Sequence, residues 1–256
     1  LSYWKNEPAS GMPENWNVAI GKASGLWIKI MHDDDWFQQP DSLGLFAAQT
    51  ATKADFIFSD YENYYLNAKG QTLRRQIMQF PESQLHLIEK EPLVLLANNR
   101  IGPPSVCMVR RSSEARYDSR LRWRVDIDYY TGVLRQKAQL IRIDQPLIAV
   151  GMNPDQVTNI TKNRPEVELP EAYILLKKYG VMPFHRWQVY DAWWRMLRNM
   201  QIYSKDILYN YVNENWDPVV LQMVVFLQRL PKFLLKSGVT SKFFMFLSYF
   251  TNTGRR

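Results

Sequence analysis

"GKASGLWIKIMHDDDWFQQPDSLG" occupies Gly21 to Gly44, and its reading decides the fold. Leu26 to Met31, rich in Trp, Ile and Met with a single lysine, has the make-up of a buried strand. It ends abruptly in His32, Asp33, Asp34 and Asp35. Adjacent carboxylates repel one another and hold water strongly, so acids at the end of a core strand require a cation beside them. Hard divalent ions such as Mg²⁺ or Mn²⁺ prefer oxygen ligands, and open α/β sheets place ligands at the carboxyl ends of their strands. The other reading of the same residues is a solvated acidic loop.

Outward from this turn, strands and helices alternate. Asn15 to Ala23 reads as a short helix with Val18, Ala19 and Ala23 on one side, ended by Gly25. Pro40 to Thr52 reads as a second helix, Phe56 to Phe58 as a strand, and Tyr65 to Gln71, with its Asn, Lys and Gly, as a hairpin turn. Leu93 to Ala97 reads as a helix start. Gly102, Pro103 and Pro104 make a stiff turn before a strand over Val106 to Val109. Ile127, Tyr130, Val133 and Leu134 recur as one helical face, and Leu147 to Val150 reads as a strand. The class is α/β.

Loop residues between Lys162 and Pro170 mark a change to a wholly helical pattern, so residues 1–164 read as the α/β core and 165–256 as a helical C-terminal region. Trp187, Tyr190, Trp194 and Leu197 recur at helical spacing up to about Ile202, as packing residues. Ser204 caps a helix through Tyr211. Asp217 and Pro218 are a cap and first-turn pair for Val219 to Leu230, and Ser241 to Phe250 is a last helix dense in Phe.

The chain has 256 residues, 46% of them hydrophobic, enough for a full core. A single cysteine, Cys107, excludes an intrachain disulfide and fits a reducing compartment such as the cytoplasm. The net charge of +7 is uneven: Arg229, Lys232, Lys236, Lys242, Arg255 and Arg256 follow Asp217 with no further acid. Such a basic, aromatic tail suits the anionic inner face of the plasma membrane, or equally a helix pair packed on its parent domain with lysines outward. No apolar run is long enough to span a bilayer, since Gln222, Gln228, Arg229, Pro231 and Lys232 interrupt the best one. The opening residues do not read as a signal peptide, and no motif supports nucleic-acid binding.

Five segments, in order, resemble family 2 glycosyltransferases of the GT-A fold. "NWNVAIGKASGLWIKIMHDDDWF" is similar to the family's acidic metal-binding segment, and "FIFSDYENYYLNAKGQ" to the strand and hairpin that follow it. "IGPPSVCMVRR", "RWRVDIDYYTGVLRQ" and "IAVGMNPDQVTNIT" resemble the G-x-P-S turn, the helix carrying the catalytic acid, and the closing segment of a bacterial branch. The resemblance implies a mixed, Rossmann-type sheet flanked by helices, shortened at the N-terminus by the family's first βαβ segment. It implies Mg²⁺ or Mn²⁺ on Asp34 and Asp35, with Asn17, Lys22, Asp33 and Asp34 toward a UDP- or GDP-sugar donor. Asp126 would be the general base of an inverting transfer to a glycan or lipid-linked acceptor, with Gly102, Pro104, Ser105 and Asp128 on the acceptor side. His32 stands where many members have the first Asp, and Asn153 where the branch has a histidine. These departures support a rival reading, a degenerate transferase acting as a binding or scaffold module at a membrane or on a protein partner.

Overall fold

The computed structural model of the chain describes residues 2–112, 114–153, 161 and 163–253. Contacts divide it into two compact units, Leu1–Leu95 with Asn99–Ile160, and Leu96–Asn98 with Thr161–Arg256.

The first unit is a mixed sheet flanked by helices. It contains α1 (Met12–Lys22), β1 (Trp27–Ile28), β2 (Asp35–Phe37), α2 (Ser42–Gln49), β3 (Phe56–Leu66), β4 (Thr72–Met78), α3 (Leu85–Lys90), β5 (Cys107–Arg110), α4 (Val125–Leu134) and β6 (Leu140–Met152). The strand order is β1-β5-β3-β6-β2, with β4 added to β3. Only β3 and β6 run parallel, from Phe56 opposite Leu140 to Tyr65 opposite Met152; the other pairs are antiparallel. β3 shares one edge between two partners, Phe56–Phe58 with β5 and Tyr61–Leu66 with β4. Its first residues, Phe56, Ile57 and Phe58, are fully buried, and with Tyr130, Leu147 and Ile148 they form the centre of the core. Such burial on both faces gives a continuous apolar run in place of alternation.

Three sequence expectations change here. Leu26 to Met31 is not a core strand: only Trp27 and Ile28 pair, on the edge beyond β5, and Leu26 is largely exposed. The tract is apolar because it lies over the sheet's margin, not because it crosses the centre. α1 buries Pro13 and Ile20, while Val18 and Ala19 face water. Leu93 to Ala97 belongs to a 3₁₀ turn, Pro92–Ala97, that does not continue. The hairpin over Tyr65 to Gln71 is present: Asn67 and Gln71 pair through their backbone, and Gly70 takes the positive φ of +74° that closes it.

Gly102 holds the turn before β5. Its φ of +116° lies outside what an L side chain adopts readily, and a Cβ there would sit 2.7 Å from Cε1 of Tyr61. Its carbonyl accepts from the Tyr130 hydroxyl (3.0 Å) and the Asn99 amide (2.9 Å), so the turn cannot rotate away without breaking both. Gly102→Ala is expected to lower stability by about 1–3 kcal/mol, read as a drop in thermal midpoint; an unchanged midpoint would show that the turn relaxes at no cost.

The second unit is helical: α5 (Pro165–Tyr179), α6 (Trp187–Asn199), α7 (Lys205–Tyr211), α8 (Pro218–Gln228), α9 (Lys232–Lys236) and α10 (Gly238–Thr253). The stretch from Pro165 to Pro170 is therefore not a loop as its composition suggests: Pro165 takes the first position of α5, and Pro170 lies inside the helix. The caps act as the sequence indicates. Ser204 Oγ accepts from Ile207 N (3.3 Å), and Asp217 Oδ1 from Val219 N (2.9 Å) with Pro218 at the first helical position. Tyr190, Trp194 and Leu197 are buried, whereas Trp187, at the head of the same stripe, is partly exposed. Among the described residues no helix is long and apolar enough to cross a membrane.

Candidate metal centre

The acidic turn is built by the strand that follows it. Asp35 opens β2, which lies antiparallel to β6 with Asp35 opposite Val150. The turn closes through Asp35 N to the His32 carbonyl (3.3 Å). β6 can pass beneath because residue 151 is glycine: a Cβ there would collide with the Asp34 carbonyl oxygen. The Gly151 amide donates to Asp35 Oδ1 (3.1 Å). Ser105 Oγ accepts from the His32 amide (2.9 Å). A serine from the turn before β5 and a glycine from the end of β6 therefore lock the turn at two points.

One ligand atom each from His32, Asp34 and Asp35 lies within 4.8 Å of the others. The His32 ring stacks on Trp16 of α1, centroids 5.1 Å apart and ring planes nearly parallel. Burial pushes the imidazole pKa down, toward the neutral form that ligates metals. Burial also pushes the Asp35 carboxyl up, to about 6. His32 Nδ1 and Asp35 Oδ2 are 3.6 Å apart, a weak pair given that each is driven toward neutrality. His32 Nε2 and Asp35 Oδ2 are buried without a hydrogen-bond partner. Orphaned buried polar atoms are costly and uncommon, and a cation held by this group would satisfy the Asp35 oxygen. The donor set, an imidazole and two carboxylates, fits a divalent ion.

A protein cation also stands beside these acids. Lys29, the single lysine of the apolar tract, is mostly withdrawn from water; its Nζ donates to the Ser105 carbonyl and lies 5.0 Å from the Phe46 ring centroid. Burial lowers its pKa to about 8, while Asp35 pulls the other way. Neither the enclosure of Lys29 nor His32's place in the group is visible in the local sequence, because α2, β5 and Ser105 supply their surroundings. Trp16 is similarly hidden: its signal is only an aromatic on a short helix.

The remaining candidates are spread more widely. Asn17 spends both ends of its amide on the Tyr117 backbone, accepting from N (2.9 Å) and donating to O (2.8 Å). Lys22 lies over the Trp4 ring (5.2 Å), and Asp33 is exposed at the tip of the turn. Pro104 and Ser105 are buried in a 3₁₀ turn after Gly102. Asp126 is in the first turn of α4 and Asp128 is buried in the same helix. Asp126 Oδ1 is buried without a hydrogen-bond partner, and burial raises the carboxyl pKa to about 7. Asp126 is not one of the clustered ligands; it is within electrostatic range of Cys107, and Cys107 of Lys29. Asn153 is half-buried at the end of β6, and residues 154–160 of the closing segment lie outside the described residues. No protein-family model matches the chain, and no curated protein matches it.

Proposed function

We propose that the chain is a metal-dependent inverting glycosyltransferase of GT-A type, moving a sugar from a nucleotide-sugar donor to a hydroxyl of a glycan or lipid-linked acceptor. The observation that carries this reading is the acidic turn, with His32, Asp34 and Asp35 gathered and two of their buried atoms unsatisfied. His32, Asp34 and Asp35 would hold the ion, and the imidazole favours Mn²⁺ over Mg²⁺. A bound divalent ion there supplies charge that stabilises a departing diphosphate. Asp126 accepts the proton of the acceptor hydroxyl, and its raised pKa, about 7, suits a base working near neutrality. The Trp16 stack holds the His32 ring, the Ser105 hydroxyl the His32 amide and the Gly151 amide the Asp35 carboxyl, so the site costs little to organise.

A second reading follows from Lys29. An internal ammonium beside Asp35 offsets part of the acidic charge with no metal at all, as a degenerate transferase serving as a scaffold would need. Titration calorimetry separates the two. On the transferase reading the chain binds Mn²⁺, and UDP or GDP only in its presence, while Asp34→Ala weakens Mn²⁺ binding by about 10–100-fold. Absence of Mn²⁺ binding, or binding unchanged in Asp34→Ala, would sink it and leave the scaffold.

A further inference from the structure

Helix α10 is amphipathic in the wrong sense for a surface helix. Its buried face is Ser241, Met245 and Ser248. Those serines are occupied: Ser241 Oγ accepts from Trp194 Nε1 (3.0 Å) and Arg198 Nη1 (2.8 Å), and Ser248 Oγ shares a hydrogen bond with the Tyr190 hydroxyl (2.6 Å). The opposite face carries Val239, Phe243, Leu247 and Phe250, which are 81%, 58%, 42% and 65% exposed. Their spacing of four, four and three residues places them on one stripe. Phe233 of α9 is exposed as well, and Trp187 meets the side of α10 through Phe246, rings 5.8 Å apart. Isolated exposed apolar residues are ordinary, but a continuous apolar stripe is an interaction surface.

Charge identifies what covers it. Every charged side chain after Asp217 is basic, and Lys232, Lys236 and Lys242 lie in α9 and α10 themselves. Lys242 sits at the flank, 4.6 Å over the Trp187 ring and 3.5 Å from Asp191. A second copy of the chain would bring the same positive charge to the same face, which disfavours self-association. We propose that α9 and α10 dock in the plane of an anionic lipid bilayer, with the apolar stripe in the interface and the lysines toward the headgroups. No described helix can span, so the contact is peripheral. The proposal does not depend on the acidic turn and stands or falls without it.

Sedimentation of the full chain with vesicles tests it, using phosphatidylcholine alone and phosphatidylcholine mixed with phosphatidylglycerol. The chain is expected to pellet with the anionic vesicles, and raising the salt should release it. Phe243→Ser with Phe250→Ser should weaken binding at least tenfold at unchanged thermal midpoint, because both side chains face water. Lys232→Glu with Lys236→Glu should weaken it at least fivefold per site and provides the reading should the phenylalanine variant not fold. No pelleting with anionic vesicles, or pelleting indifferent to the substitutions, overturns the proposal. So does a dimer in solution that the phenylalanine substitutions convert to monomer, since the face would then be covered by a second copy.

Discussion

Arg142→Ala is expected to destabilise the α/β unit by about 3–5 kcal/mol, the cost of leaving a buried carboxylate without its partner. The guanidinium grips Asp60 with two bonds, Nε to Oδ1 (3.0 Å) and Nη2 to Oδ2 (2.6 Å), and both side chains are nearly sealed from water at 8% and 1% exposure. Asp60 Oδ1 also accepts from Phe80 N (3.0 Å), tying in the segment after β4. The placement explains the need. The parallel ladder of β3 and β6 slips on either side of Asp60, so regular pairing is interrupted there and side chains hold the strands together. Glu82 and Asp144 also reach Arg142, at 2.8 and 2.7 Å, but they are solvated, and replacing either with Ala should cost under about 1 kcal/mol. Urea unfolding of the three variants checks the ranking. Replacing both buried partners, Asp60→Leu with Arg142→Met, should recover most of the loss. A cost below about 1 kcal/mol for Arg142→Ala would mean that water reaches Asp60 and that the slipped ladder needs no ionic clamp.

That ion pair also shows where local sequence stops being informative. Asp60 sits in "FIFSDYENYYL", which reads as a strand only over its first three residues because polar side chains then intervene; yet β3 continues to Leu66, paired on both sides by β4 and β6. β6 likewise starts at Leu140, ahead of the apolar Leu147 to Val150. β2 shows the same effect from the other direction: "DWF" has the look of a loop after an acidic turn, and it is a strand because β6 lies beside it. Strand extent depends on partners far along the chain, Leu140 opposite Phe56 and Val150 opposite Asp35, whereas α7 and α8 of the second unit were legible from Ser204, Asp217 and Pro218, since caps act within a single turn. In the acidic turn, the grouping of the carboxylates was visible from their adjacency. Their company was not, because Lys29, Trp16, Ser105 and Gly151 reach it through the tertiary fold.

Asp126→Asn is expected to make the protein more stable, and by more the higher the pH. The folded-state pKa of Asp126, about 7, stands above its ordinary value of 3.8, and the cause is burial. Between roughly pH 4 and pH 7 the folded state therefore holds a proton that the unfolded chain has released, so stability falls as pH rises through that window. A gap of about three pKa units corresponds to about 4 kcal/mol of penalty, fully developed above pH 7. Asparagine is nearly isosteric and carries no charge to desolvate, so the variant should lose this slope: close to wild type near pH 4, ahead by up to about 4 kcal/mol at pH 8. Chemical denaturation at a series of pH values gives the difference directly. Equal stability at both ends would show that the Asp126 carboxylate is solvated or compensated when ionised. A chain that retains a carboxylate where a neutral amide would be more stable keeps a cost that packing does not require. Such costs accumulate where a group must gain and lose a proton. If the stabilised variant also binds Mn²⁺ and nucleotide like the wild type but transfers no sugar, Asp126 is the proton acceptor, because binding and folding will have been separated from the step that needs its charge.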